Sequence, residues 1–127
     1  DTAQNASYQE IILQRNRQGH YLFNGQINDH IVTFIVDTGA TTTSIPDHMA
    51  EKLSLLRGRA FRVQTANGSA TAYATKINSL KLGDIEFTAT QASLNPGFQG
   101  NEILLGMNIL KNMELIQRDD VLILRKY

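Results

Sequence analysis

The tripeptide Asp37-Thr38-Gly39 is the part of the sequence whose residue types could carry out a reaction. It directly follows residues 31–36 (Ile-Val-Thr-Phe-Ile-Val), an apolar run that predicts a strand buried on both faces. A carboxylate at the end of such a strand is costly to remove from water unless its surroundings stabilise it. Asp, Thr and Gly also form ordinary turns, which is the commoner explanation for an isolated tripeptide. The preceding apolar strand favours a functional carboxylate here.

The composition is that of one globular domain and excludes several functional classes. The chain has 127 residues, of which 42% are hydrophobic and 19% charged. Twelve Lys and Arg balance twelve Asp and Glu, whereas a nucleic-acid-binding domain normally has a basic excess. The absence of cysteine excludes disulfides, Cys-ligated zinc and thiol catalysis. Because His20, His30 and His48 lack the spacing of metal ligands, we expect neither a metal site nor a cofactor.

Short β-type runs separated by turn residues predict a mostly-β domain that presents this tripeptide. The predicted strands are residues 10–14, 20–27, 31–36, 61–66, 69–76, 77–82, 85–91, 103–105, 113–117 and 121–125. Asn67-Gly68 is typical of a two-residue hairpin turn, because both positions favour a positive φ. Residues 44–47 (Ser-Ile-Pro-Asp) predict the start of a short helix that carries Met49 and Leu53 on one face. A second short helix is predicted at residues 107–112.

Three motifs in order resemble those of the retropepsin-like aspartic proteases. Residues 35–40 (Ile-Val-Asp-Thr-Gly-Ala) match the catalytic loop of that family, and residues 65–68 (Thr-Ala-Asn-Gly) lie where the family has its flap hairpin. Residues 104–108 (Leu-Leu-Gly-Met-Asn) match the motif that precedes the short C-terminal helix of the family. Together with Gly-Gln-Ile-Asn at 25–28, they resemble a bacterial group of such proteases that usually carries an N-terminal membrane anchor.

The resemblance implies a retropepsin-like closed β-barrel or sandwich with one or two short helices. It assigns residues 19–127 to one protease domain and residues 1–18 to an N-terminal segment with the first strand. Aspartic proteases need two carboxylates that share a proton, and the chain has one Asp-Thr-Gly. An active enzyme would therefore be a symmetric homodimer with one Asp37 from each subunit.

The resemblance also assigns roles to individual residues. The catalytic residues would be Asp37, Thr38 and Gly39. The substrate would be bound by Ala40, Thr41, Ala66, Asn67 and Gly68. The residues with a structural role near the site would be Leu104, Leu105, Gly106 and Asn108. Thr38 would reach across to the loop of the partner subunit, and Gly39 would leave room for the two loops to approach. Many pepsin-like relatives have Ser at the position of Ala40, where its hydroxyl stabilises the ionised carboxylate. Its absence predicts a mildly acidic rather than a strongly acidic pH optimum.

Two other functions fit parts of the sequence. The same fold could bind an extended peptide without cleaving it, although the intact Asp-Thr-Gly-Ala favours catalysis. Residues 37–42 also loosely fit the phosphate-binding loop of actin-like ATPases, but that fold needs far more residues and alternating strands and helices. The first residue is not Met, so we expect a processed or trimmed chain. We expect a protein or peptide substrate, a second copy as partner, no nucleic acid, and a periplasm-facing location through an inner-membrane anchor outside this chain.

Overall fold

The computed structural model of the protein describes residues 8–65 and 68–127. The strands in these ranges are β1 (Gln9–Gln14), β2 (Leu22–Ile27), β3 (His30–Val36), β4 (Thr43–Pro46), β5 (Ala60–Thr65), β6 (Gly68–Leu82), β7 (Ile85–Asn95), β8 (Glu102–Leu105), β9 (Glu114–Arg118) and β10 (Val121–Lys126). A 3-10 turn spans Asp47–Met49, and the helix α1 spans Met107–Leu110. The domain is mostly β, as the sequence predicts.

The larger sheet closes into a barrel of six strands. Its strand order is β2-β3-β8-β4-β7-β6-β5, and β2 also pairs with β6 through Gln26↔Lys81 and Ile27↔Leu80. This second pairing joins the two ends of the six-stranded set, while β5 extends outside the barrel on the edge of β6. The predicted closed β fold is therefore confirmed, and the barrel interior is filled by fully buried aliphatic side chains and Phe34.

Strand β3 is buried on one face only, so the predicted burial on both faces is wrong. Val32 and Phe34 are almost fully buried, whereas 70% of the Ile31 surface is exposed. Successive side chains of a strand point to opposite faces of its sheet, so the alternate residues of β3 point away from the barrel interior. The strand pairs in parallel with β8, which brings Val36 opposite Leu105.

The short helix that was predicted to start within residues 44–47 begins at Asp47 as a 3-10 helix, whereas residues 44–46 belong to a strand. This strand, β4, runs parallel to β7, and Ser44 also pairs with Leu104 of β8. Pairing on both sides satisfies the backbone groups of this segment, and this tertiary contact overrides the local helix signals. The chain turns only afterwards, and Met49 and Leu53 are nonetheless buried as predicted.

The two ends of the described chain share a second sheet with the order β9-β10-β1. The predicted closing hairpin is present, with Ile116 opposite Ile123, and β1 adds to β10 with Ile123 opposite Ile12. Leu122 and Leu124 of β10 point into the core, whereas 64% of the Ile12 surface is exposed. One face of this sheet therefore covers the core, and the other is directed outward.

The predicted hairpin of residues 61–76 is formed by β5 and β6, which pair in antiparallel fashion from Ala60↔Tyr73 to Thr65↔Gly68. Asn67, which was predicted to lie at its tip together with Gly68, is outside the described residues, and so is Ala66, which was predicted to bind substrate. Beyond the hairpin, β6 continues as one long strand to Leu82 and pairs with β7 along most of its length. The hairpin is thus an extension of two strands that project from the barrel.

Candidate active site

The loop that carries Asp37 begins where β3 leaves the barrel. The Asp37 amide donates to the Leu105 carbonyl of β8 at 3.1 Å, so the parallel pairing continues into the loop. The Asp37 Oδ1 atom accepts a 2.9 Å hydrogen bond from the Gly39 amide, and the Ala40 amide donates to the Asp37 carbonyl at 3.1 Å. These contacts form a tight turn that fixes the carboxylate. Asp37 is half-buried, while Thr38 and Gly39 are exposed in the single chain.

The other side of this loop is bonded to the start of α1. The Met107 amide donates to the Ala40 carbonyl at 2.7 Å, and the Asn108 amide donates to the Thr41 carbonyl at 3.1 Å. Gly106 allows this close approach, because a Cβ atom there would lie 2.7 Å from the Thr42 carbonyl carbon. The predicted motif at residues 104–108 is therefore in direct contact with the Asp37 loop.

Thr43 and Asn108 form a buried hydrogen-bonded pair beneath the loop. The Asn108 Oδ1 atom accepts from both the Thr43 amide and the Thr43 hydroxyl, each at 2.9 Å. The same hydroxyl accepts from the Gly106 amide at 3.1 Å, and Asn108 Nδ2 donates to the Gln91 carbonyl at 2.7 Å. Thr43 is fully buried. The pair thus connects the loop, α1 and β7 into one unit.

The four residues predicted to support the site all lie behind or beside the loop. Leu105 is fully buried and Leu104 is half-buried in β8, which underlies the Asp37 turn. Gly106 and Asn108 make the main-chain and side-chain contacts described above. The structural position of Thr43 was not predicted, because three consecutive threonines at 41–43 give no sequence signal for which hydroxyl is buried.

A groove of about 410 Å³ extends from this loop to the hairpin. It is lined by Ala40, Thr41, Thr42, Ser44, Arg59, Phe61, Val63, Ala74, Gln91, Ala92 and Ser93. Two predicted substrate-binding residues, Ala40 and Thr41, are therefore in its wall. Gly68 begins β6 and is not among the lining residues, while Ala66 and Asn67 fall outside the described residues. The contributions of β5 and β7 were missed by the sequence analysis.

Other acidic turns of the chain do not join Asp37. Asp84 lies in the β6–β7 turn, where its carbonyl accepts from Gln9, and Asp120 forms an ion pair with Arg15. Within residues 8–65 and 68–127, the Asp37 carboxylate accepts a hydrogen bond from the Gly39 amide alone. Over the same residues no group of three or more His, Asp or Glu side chains could hold a metal ion. In the described residues, the loop beside the groove thus carries one carboxylate, that of Asp37, and Ala40 of the same loop lines the groove.

Comparison with known proteins identifies the family of this chain. The family model described as "gag-polyprotein putative aspartyl protease" matches residues 23–112, which include the Asp37 loop and the Gly106 motif. The chain belongs to this family. A retropepsin-like aspartic protease from Rickettsia conorii is 32% identical, and the match has a TM-score of 0.78 over 94% of this chain and 92% of that chain. The predicted resemblance to retropepsin-like aspartic proteases is therefore confirmed.

Viral proteases share the fold at lower sequence identity. The EIAV protease, solved in complex with the inhibitor HBY-793, is 21% identical with a TM-score of 0.59, over 76% of this chain and 89% of that chain. The simian foamy virus protease is 18% identical with a TM-score of 0.53, over 71% of this chain and 91% of that chain. At these low identities, the two matches show a shared fold and nothing further.

Two longer bacterial proteins are also similar in sequence to this chain. An uncharacterized protein in the cobV 5′ region of Sinorhizobium sp is 31% identical over 121 residues, and uncharacterized protein RP867 of Rickettsia prowazekii is 30% identical over 121 residues. The matches cover 92% and 93% of this chain but 52% of each relative, so the chain spans about half the length of these curated relatives.

Across the described residues, no helix has the length and apolar character needed to cross a membrane.

Proposed function

We propose that this chain is one half of an aspartic endopeptidase and that two copies contribute one Asp37 each. The observation that carries this proposal is the Asp37 turn, which is fixed by bonds to Leu105, Gly39 and Ala40 and belongs to the loop whose Ala40 lines the groove. A single carboxylate cannot act both as the base that activates water and as the acid that protonates the scissile carbonyl. A two-fold axis beside the loop supplies the second carboxylate.

In the proposed reaction, the ionised Asp37 removes a proton from a water molecule, whose oxygen attacks the peptide carbonyl carbon. The protonated Asp37 of the second copy donates its proton to the carbonyl oxygen, which gives a neutral tetrahedral intermediate. Proton transfer to the amide nitrogen then breaks the C–N bond and releases a carboxyl group and an amine. The two carboxylates share one proton, so their titration belongs to the pair.

The exposure of the loop in the single chain is consistent with a partner at this position. Thr38 and Gly39 are exposed although they follow a strand of the barrel. In the proposed dimer, the Thr38 hydroxyl contacts the loop of the second copy, and Gly39 leaves space for that approach. Ala40 and Thr41 contact the substrate from the groove wall. The β5–β6 hairpin acts as a flap that closes over the peptide and excludes water, and Ala66, Asn67 and Gly68 are proposed to bind the substrate.

The test combines peptide cleavage with the mass of the protein in solution. Cleavage of a denatured protein at pH 4–7 is expected from the wild type and reduced by about 10³-fold or more in Asp37→Asn. The matched control Asp84→Asn changes an exposed turn carboxylate and should retain full activity. Analytical ultracentrifugation across concentration should show a dimer in the range where cleavage occurs. Activity that survives Asp37→Asn would refute the mechanism, and an inactive monomer at all concentrations would favour peptide binding without cleavage.

We further propose that the full protein is anchored in the inner membrane with this domain facing the periplasm. The support is the resemblance of the sequence to a bacterial group of proteases that usually carries such an anchor. The curated relatives are about twice as long as this chain. Fractionation of cells that express the full gene, with protease accessibility of spheroplasts, tests the location. Recovery of the full-length protein in the soluble cytoplasmic fraction would contradict it.

A further inference from the structure

One wall of the groove is formed by alternate residues of a single extended segment. Arg59, Phe61 and Val63 line the groove, and they are spaced by two residues as the period of a strand requires. Arg62 lies on the opposite face of β5, where its guanidinium donates to the hydroxyls of Thr71 and Ser69. The chain therefore directs one arginine into the groove and the next one away from it.

The main chain of Arg59 is held in place by β6. The Gly58 amide donates to the Ala74 carbonyl at 2.7 Å, and the Ala74 amide donates to the Arg59 carbonyl at 2.8 Å. A Cβ atom at Gly58 would lie 2.9 Å from the Ala74 carbonyl oxygen, so glycine permits this approach. Ala74 itself lines the groove. The base of the Arg59 side chain is therefore fixed against the groove wall.

Among the described residues that line the groove, Arg59 alone is charged. The other lining residues are hydroxyl, amide or apolar side chains, and no carboxylate of a described residue lies within ion-pair distance of Arg59. Gln91 and Thr41 are exposed at the groove, so both can also donate hydrogen bonds. Phe61 and Val63 supply an apolar surface beside these donors. A cation with further donors and an apolar wall suits a carboxylate on a short aliphatic stem.

We propose that this groove selects an acidic side chain, Glu or Asp, of the peptide substrate, and that Arg59 determines this preference. The proposal rests on the proposed function, because it names the substrate class of the same site. Arg59 is a specificity residue rather than a catalytic one, since it binds a substrate side chain away from the bond that is cleaved. Because the guanidinium is exposed, the ion pair with substrate should be modest and should weaken as salt is added.

The test uses internally quenched peptides that are acetylated and amidated, so that the substrate side chain is the only carboxylate. Pairs of peptides differ by Glu or Gln at one of the four positions on either side of the cleaved bond. At pH 6 and low salt, one position should show a Glu preference in kcat/KM of about twofold to fivefold. The preference should disappear in Arg59→Gln and remain in the matched control Arg62→Gln. It should also decline below about pH 4.3, where the substrate Glu becomes protonated.

The outcomes separate this inference from the proposed function. No Glu preference at any position, or a preference that persists in Arg59→Gln, overturns the selection of an acidic side chain while cleavage itself stands. If no peptide is cleaved, the proposed function fails, and fluorescence anisotropy of the same labelled peptides still measures binding. Tighter binding of the Glu peptide that depends on Arg59 then supports the acidic preference, and equal binding of Glu and Gln peptides refutes it. A circular dichroism melt of each variant verifies that both fold.

Discussion

Replacing Thr43 by Val tests whether the buried pair beneath the loop stabilises the fold as described. Valine has nearly the shape of threonine but lacks the hydroxyl, which donates to Asn108 Oδ1 and accepts from the Gly106 amide. Leaving a buried amide without a partner costs about 1–3 kcal/mol, and the lost bond to Asn108 adds about 1 kcal/mol. We expect a loss of about 2–4 kcal/mol in the free energy of unfolding. For a domain of this size that is a decrease in Tm of about 8–15 °C.

Urea denaturation followed by circular dichroism measures this loss, provided that the m-values of the variants agree. Thr43→Ser keeps the hydroxyl and removes one buried methyl group, so it should cost only about 1 kcal/mol. Thr33→Val is the matched control, because the Thr33 hydroxyl bonds to Asn24 at an exposed position and its removal should cost less than about 0.5 kcal/mol. If Thr43→Val were as stable as Thr43→Ser, hydroxyl bonding at this position would not be important and the reasoning would be wrong.

Two further predictions concern stability away from this hydroxyl. Gly106→Ala should lower the free energy of unfolding, measured by urea denaturation, by more than about 3 kcal/mol, because the new Cβ would lie under 3.0 Å from backbone atoms. Gly19→Ala is the control, because Gly19 has a positive φ but open space around it, and it should cost only about 1 kcal/mol. Similar losses in the two variants would argue against the close contact at Gly106. A hydrogen bond from Arg57 lowers the pKa of Glu51, so the stability from this pair is present above the ordinary Glu pKa and is lost as the pH falls. Because Arg57 also donates to the Asp47 carboxylate and to the Asp47 main-chain carbonyl, the variant that isolates this pair is Glu51→Gln. The Tm of Glu51→Gln should be lower than that of the wild type at pH 7 and should approach it at pH 3. Glu102→Gln, which changes another exposed carboxylate, should show no such pH dependence, and a constant difference for Glu51→Gln would contradict this.

The sequence allowed the Asp37 loop and its support to be predicted because both depend on short-range backbone requirements. An apolar strand that runs into Asp-Thr-Gly and a glycine that follows three apolar residues are local patterns. The structure brings the two together through the parallel pairing of β3 and β8. The partner of Asn108, in contrast, depends on which of three threonine hydroxyls is buried, and this is decided by tertiary packing.

Apart from Ala40 and Thr41, the groove wall could not be predicted from the sequence, because it comes from four separate segments, at residues 40–44, 59–63, 74 and 91–93. Arg59, Phe61 and Ser93 meet only after β5 pairs with β6 and β6 pairs with β7. The extended conformation of residues 44–46 has a similar origin, since these residues suggest the start of a helix, while two neighbouring strands hold them extended up to the 3-10 helix at Asp47. Local propensity is weak where a strand is paired on both sides.

The pairing of β1 with β10 affects the order in which the protein can fold. Gln9 lies opposite Lys126, so the first described strand finds its partner only after the barrel strands between them have been synthesised. Contacts between residues so far apart in sequence raise the entropic cost of closing the chain and slow folding. During synthesis, Ile12 and its neighbours remain without a sheet partner until β10 emerges. Among the described strands, β1 is therefore the one that waits longest for its sheet partner during synthesis.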